Sequence, residues 1–190
     1  MTTPAAIAQL LVEHAAARER LAALQRAVGA APHGRDEALA TVRQIETALA
    51  YLNSGLELHI AKEEGPLFPR LKAALPPDDR LIDEMVAEHD LIRIKREDAR
   101  LLLAQVLDGE HDEVRDELRA VRALLEAQQG AWPAALRAAV SALEQKAFVH
   151  FENEEELVFP LAPELLDAAV LEAAHTEMLA LEAAWPTRSA

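Results

Sequence analysis

The sequence predicts an all-α fold built on a four-helix bundle, and three observations carry that expectation. Of its 190 residues 51% are hydrophobic and only 6 are glycine, a balance rich in Ala and Leu and thin in β-branched residues that favours helix. Apolar residues recur at steps of three and four, the spacing of one helix face. An unusual phrase is also written twice, HIAKEEGPLFP at 59–69 and HFENEEELVFP at 150–160.

Helix-stopping residues fall at 29–34, 66–69, 76–77, 109, 130–133 and 160–163, with five or six helices between them. In the first helix Ile7, Leu10, His14, Ala17, Leu21, Leu24 and Val28 form a seam that turns His14 inward. The second seam runs Ile45, Leu49, Leu52, Leu56, His59, Glu63, and the third Ile82, Met85, His89, Ile92. Near residue 140 the series Val140, Leu143, Ala147, His150, Glu154, Leu157 places a second His/Glu pair on a core face. An amphipathic helix inserted at 108–131 would bury Val114, Leu118, Val121 and Leu125. A C-terminal helix at 163–183 shows Leu171, Ala174, Met178, Leu181 and Trp185 at seam spacing. The length suits one domain over 1–190, with a core bundle at 5–160.

The repeat is longer than the shared phrase, because Glu13-His14 precedes the first copy and Glu88-His89 the second. Two copies of a helical hairpin, each supplying half of a central site, explain the order. On a helix, residues four apart stand one turn apart on one face, so His59 and Glu63 aim at one point, as do His150 and Glu154. Six groups would then converge: His14, His59, Glu63, His89, His150 and Glu154. Unpaired in an apolar core they would cost several kcal/mol, about 1–3 for each polar group even before charge is counted, and a bound cation relieves that cost. Nitrogen and oxygen donors without sulfur suit iron, manganese or zinc, and six donors serve two ions if the glutamates bridge.

Other candidates lack that setting. His33 and Glu37 share the bare spacing but sit beside Pro32 and Gly34 at a turn, and His111 lies among acidic residues in the insertion. Glu172 and His175 form a lone Glu-x-x-His flanking its helix's stripe, and Tyr51, two turns before His59, reads as core packing before a ligand or gate at the site. Glu13, Glu64, Glu88 and Glu155 adjoin ligands in sequence yet face elsewhere, which reads as a solvated flank with contacts to other helices open to it.

The net charge of -14 opposes binding to nucleic acid or anionic membrane surfaces. No apolar run approaches the length of a membrane span, and the N-terminal stretch lacks a basic region and cleavage site, so a soluble cytoplasmic protein is expected. With no cysteine there is no disulfide, thiolate metal site or thiol nucleophile.

The pattern His14, His59-Ile-Ala-Lys-Glu63, His89, His150-Phe-Glu-Asn-Glu154, with the trailing Leu67-Phe68-Pro69 and Val158-Phe159-Pro160, resembles the hemerythrin-like family of HHE cation-binding domains over about residues 7–160. That resemblance implies an up-and-down bundle around two iron ions, bridged by carboxylate and an oxo or hydroxo group. Zinc or manganese are the substitutes to consider. It also implies a small-molecule ligand, dioxygen, nitric oxide or peroxide, and a stress-response, sensing or scavenging role. Oxygen carriers of the family place a further histidine where this chain has Arg93, which argues against reversible oxygen carriage; the cysteine-bearing segment of the cluster-repair members is missing too. Iron storage or delivery, and a bundle stabilised by metal without redox function, are the alternatives.

Overall fold

A computed structural model of the chain describes residues 2–29, 35–107 and 134–186. Among the described residues there are six helices and no strand, packed antiparallel as a bundle. Helix α1 is Ala5–Gly29. Helix α2 covers residues 35–74 through the consecutive segments Arg35–Ala50, Tyr51–Gly55, Leu56–Lys62, Glu63–Leu67 and Phe68–Ala74. Helix α3 is Leu81–Leu107, and α4 covers residues 134–158 as Ala134–Asn153 and Glu154–Val158. The short α5 (Ala162–Leu165) and the longer α6 (Ala168–Ala184) follow. The expected helix at 108–131, with His111, lies outside the described residues.

The expected seams are the buried faces. On α1 every predicted seam residue is buried, His14 included, and so are Ile82, Met85, His89 and Ile92 on α3. On α2 Ile45, Leu52 and Leu56 are buried, while the side chain of Leu49 lies outside the described set. The core is not continuous. One apolar cluster holds Leu21, Leu24, Leu52, Leu56, Ile92, Val140 and Phe151, and a second holds Ile7, Leu10, Leu67, Phe68, Met85, Val158 and Phe159. On each of the four long helices the cluster changes at a ligand candidate: His14 on α1, Glu63 on α2, His89 on α3 and Glu154 on α4. A polar layer therefore crosses the bundle between two apolar ones.

Among the described residues three helical turns are widened. At Tyr51–Gly55, Glu63–Leu67 and Glu154–Val158 the helix becomes π, the closing amide bonding five residues back: Leu56 to Tyr51, Phe68 to Glu63 and Phe159 to Glu154. Such π turns mark functional positions more often than chance; two of these open on the paired glutamates. Each extra residue advances the inward face by one. Val158 is accordingly buried and Leu157 is 51% exposed, correcting the seam expected to end at Leu157.

The prolines at 66 and 69 do not end α2. Pro66 sits inside the second π turn and Pro69 at the start of the next segment, where a missing amide hydrogen is tolerated. The helix runs on to Ala74 and stops at Leu75, whose extended backbone leads into Pro76. The C-terminal helix also differs from the single 163–183 span. Its first turn is separate as α5, and α6 begins after Asp167, whose side chain caps the Val170 amide at 2.9 Å. Leu171, Ala174 and Met178 are its buried stripe, with Leu181 and Trp185 half-buried. No described helix is long and apolar enough to cross a membrane.

The first π turn makes room for Tyr51. A Cβ at Gly55 would stand 2.5 Å from the Tyr51 ring, which is itself pinned under the Arg20 guanidinium at 4.7 Å. Gly55→Ala is expected to destabilise the fold by about 1–3 kcal/mol, the usual cost of overpacking, read as a lowered midpoint in urea denaturation.

Candidate metal centre

The structure brings all six predicted residues, His14, His59, Glu63, His89, His150 and Glu154, into the polar layer, each at most 2% exposed. They form two groups whose donor atoms lie within 4.8 Å of one another: His14, His59, Glu63 and Glu154 in one, and Glu63, His89, His150 and Glu154 in the other. Both glutamates belong to both groups. Glu63 turns Oε1 to His59 Nε2 (3.3 Å) and His14 Nε2 (3.7 Å), and Oε2 to His89 Nε2 (3.3 Å). Glu154 turns Oε1 to His150 Nε2 (3.3 Å) and His89 Nε2 (3.6 Å), and Oε2 to His14 Nε2 (3.2 Å). One carboxylate oxygen thus faces each histidine pair.

These distances repeat under exchange of the halves. His14 to Glu154 at 3.2 Å answers His89 to Glu63 at 3.3 Å, and His14 to Glu63 at 3.7 Å answers His89 to Glu154 at 3.6 Å. The rings follow: His14 meets His59 edge-on at 4.7 Å between centroids, and His89 meets His150 at 4.5 Å. The duplicated sequence has produced a centre with approximate two-fold symmetry.

Each of the four histidines in the layer is oriented from behind by a carboxylate of a neighbouring helix. His14 Nδ1 donates to Glu155 at 2.8 Å, His59 Nδ1 to Glu13 at 2.9 Å, His89 Nδ1 to Glu64 at 2.9 Å and His150 Nδ1 to Glu88 at 3.0 Å. A carboxylate can only accept, so Nδ1 carries a proton and Nε2 is the atom turned inward. The four links run in a circle, α1 to α2 to α3 to α4 and back to α1. The flanking glutamate precedes its ligand on α1 and α3 and follows it on α2 and α4. One residue turns a helix by about 100°, and reversing the helix reverses that sense, so −1 on an ascending helix and +1 on a descending one both point the same way around the ring. The solvated-flank part of the reading is thereby corrected and the contacts to other helices it left open are present: these residues are 20–29% exposed and each holds the next helix's histidine. The repeated Glu-His and Glu-Glu pairs carried this signal.

Each of these carboxylates is in turn paired with a cation: Glu155 with Arg18 (2.7 Å), Glu13 with Lys62 (2.6 Å), Glu64 with Arg93 (2.9 Å) and Glu88 with Lys146 (2.7 Å). Burial pushes Glu13 and Glu64 upward, but His59 and Lys62 for the first, and His89 and Arg93 for the second, outweigh it and hold both near about 2. Arg93 reaches outward to Glu64, Asp90 and Glu57.

The inner atoms fit cations. Both oxygens of Glu63 and of Glu154, and Nε2 of His89 and His150, are buried without a hydrogen-bond partner, a cost that coordination removes. His14 Nε2 and His59 Nε2 are 3.0 Å apart, close enough for both to reach one ion through bonds of about 2.1 Å. Aromatic rings close the layer. Phe151 and Phe159 stack on His14 at 4.3 and 5.3 Å, and Phe68 lies parallel to His89 at 5.6 Å.

Without metal, protons take the cations' place. Burial favours neutral imidazole, but the facing Glu154 and Glu63 outweigh it, raising His14 to about 10 and His89 to about 11. Their folded values lie above the unfolded 6.5, so their contribution to metal-free stability is complete below pH 6.5 and disappears as pH rises through about 10–11. Loading metal at pH 7 should therefore expel protons from His14 and His89. An indicator dye in weak buffer measures this, and release of none would contradict the assignment.

The remaining candidates stand apart. Tyr51 packs against the apolar core, and burial pushes its phenol up to about 12, so it stays protonated. His175 is half-buried on α6 and enters neither metal-capable group. Glu37 is exposed on α2, whereas His33 is outside the described residues.

A helical bundle with a buried layer of paired histidines and shared carboxylates has the donor set of a binuclear cation site. The chain belongs to the hemerythrin family: the model of the Hemerythrin HHE cation binding domain matches it twice, over residues 5–106 and 102–185. The first match contains His14, His59, Glu63 and His89 and the second His150 and Glu154, yet all six meet in one layer. Comparisons with curated proteins and with solved structures return no match.

Proposed function

We propose that this chain is a single-domain, non-haem diiron protein that binds or reacts with dioxygen, nitric oxide or peroxide in a sensing, scavenging or stress-response role. The observation that carries the reading is the division of the Glu63 and Glu154 oxygens between two histidine pairs. Each ion would be held by two histidines and two carboxylate oxygens, a donor set suited to non-haem iron that is open to small molecules. Bound iron would supply one-electron redox chemistry and a position for the small molecule to enter.

The chain's own groups do the rest. His14, His59, His89 and His150 would anchor the ions, and Glu63 and Glu154 would hold them together. The Nδ1 hydrogen bonds keep each imidazole in the right tautomer and orientation, while Phe68, Phe151 and Phe159 keep water from the histidine faces. Arg93, turned outward, adds no further donor on α3, which favours reaction or sensing over reversible oxygen carriage. A cytoplasmic location is part of the same proposal.

Protein produced with ample iron should hold two iron ions per chain, and fewer than one would sink the reading. Anaerobic reduction followed by exposure to oxygen, nitric oxide and peroxide in turn, watched by absorption, then identifies the ligand class. A stable oxygenated species would overturn the argument from Arg93, and labile iron that consumes neither nitric oxide nor peroxide would favour storage.

A further inference from the structure

The two halves of the centre match closely, which makes a difference in the cations behind them informative. Of the four cations behind the histidine-holding carboxylates, Arg18, Arg93 and Lys146 are 25–29% exposed, whereas Lys62 is 2% exposed. Lysine is almost never fully buried unless paired. Lys62 Nζ donates to Glu13 Oε1 at 2.6 Å and to Glu182 Oε2 of α6 at 2.9 Å. Gln9 Nε2 spans the same two carboxylates at 3.0 and 3.1 Å. A polar chain therefore leads from the C-terminal helix through Lys62 and Glu13 to His59 Nδ1.

The equivalent place in the second half, three residues after His150, holds Asn153. Its neutral amide reaches Glu88 only at 3.3 and 3.5 Å, and the cation there is the half-exposed Lys146. Helix α6 also lies over the π turn behind Glu63, with Leu181 against Gly65 and a forked Arg70–Glu177 pair at 2.7 and 3.0 Å. Charge-assisted hydrogen bonds away from water are stronger and less screened than exposed ones.

We propose that α6 is a clamp on one of the two metal positions, with Lys62 as the positioning residue that transmits its docking to His59. The ion held by His14 and His59 then exchanges more slowly than the ion held by His89 and His150. This rests on the two-metal reading above.

The test loads the full chain anaerobically with two ferrous ions and follows their removal by excess chromogenic chelator. Wild type should release them in two phases of equal amplitude, separated about tenfold or more, within the range that contacts behind metal ligands exert on affinity. Glu182→Gln, at a position 53% exposed and so not expected to unfold the protein, should accelerate the slow phase about threefold to tenfold and leave the fast phase alone. Glu177→Gln loosens the same helix at Arg70 without touching Lys62 and should accelerate the slow phase less than Glu182→Gln does, leaving the fast phase alone. Lys146→Met should accelerate only the fast one. Single-phase release in wild type, a slow phase indifferent to Glu182→Gln, an equal response to Glu177→Gln, or a slow phase that follows Lys146→Met would each overturn the clamp. A wild type that binds fewer than two ions sinks the two-metal reading itself, so the two failures are distinguishable.

Discussion

Glu63→Ala is expected to abolish binuclear loading, taking the chain from two metal ions to one or none and removing the near-ultraviolet absorption of the iron pair. The expectation follows from where the two oxygens go: Oε1 toward His59 and His14, Oε2 toward His89. Among the described residues only Glu154 also belongs to both groups. Even groups one step behind a ligand typically change affinity about 10–100-fold, and loss of a shared ligand should exceed that. Because the distances around Glu154 reproduce those around Glu63, Glu154→Ala should fail to the same degree. His175→Ala should load normally. Metal content per folded chain, with absorption spectra, measures all three, and an unchanged spectrum in Glu63→Ala would rule that residue out as the bridge.

The all-α fold and the convergence of the six polar residues were legible because helical period and duplication point the same way. His14 and His89, each alone on an apolar stripe, could be placed only through their equal positions in the two copies. What escaped the reading is local geometry that period alone does not encode. A π turn inserts one residue into the inward face, which is why Val158 and not Leu157 is buried, and it lets α2 continue past Pro66 and Pro69 to Ala74. The role of Glu13, Glu64, Glu88 and Glu155 escaped for a different reason. Neighbouring residues on a helix do face different ways, but in an antiparallel bundle the direction away from one ligand leads to the next helix's ligand, and that requires the arrangement of all four helices. Lys62 is a third kind of case. Its burial depends on α6, 120 residues away at Glu182, and nothing local announces it.

Phe151→Ala is expected to destabilise the protein by about 3–5 kcal/mol, the range for truncating a fully buried aromatic side chain. Phe151 is 1% exposed and belongs to the apolar cluster on one side of the polar layer. Its ring stacks on His14 at 4.3 Å and meets His59 and His150 at 5.9 Å each. It is also the place where the halves diverge, since the residue after His59 is Ile60. The cavity would open against a layer of buried ionisable groups rather than pure hydrocarbon, so water can enter it and bond the inner oxygens of Glu63 and Glu154 that now lack partners. Two measurements separate these consequences. The urea midpoint of metal-free protein reports the lost packing, and the rate of metal release reports the wetted centre, which should accelerate because hydration competes with coordination. Ile60→Ala, with less side chain to lose, should cost about 2–5 kcal/mol and accelerate release less, because Ile60 makes no ring contact with His14. Equal release rates in the two variants would show that the stacked ring does not shield the centre.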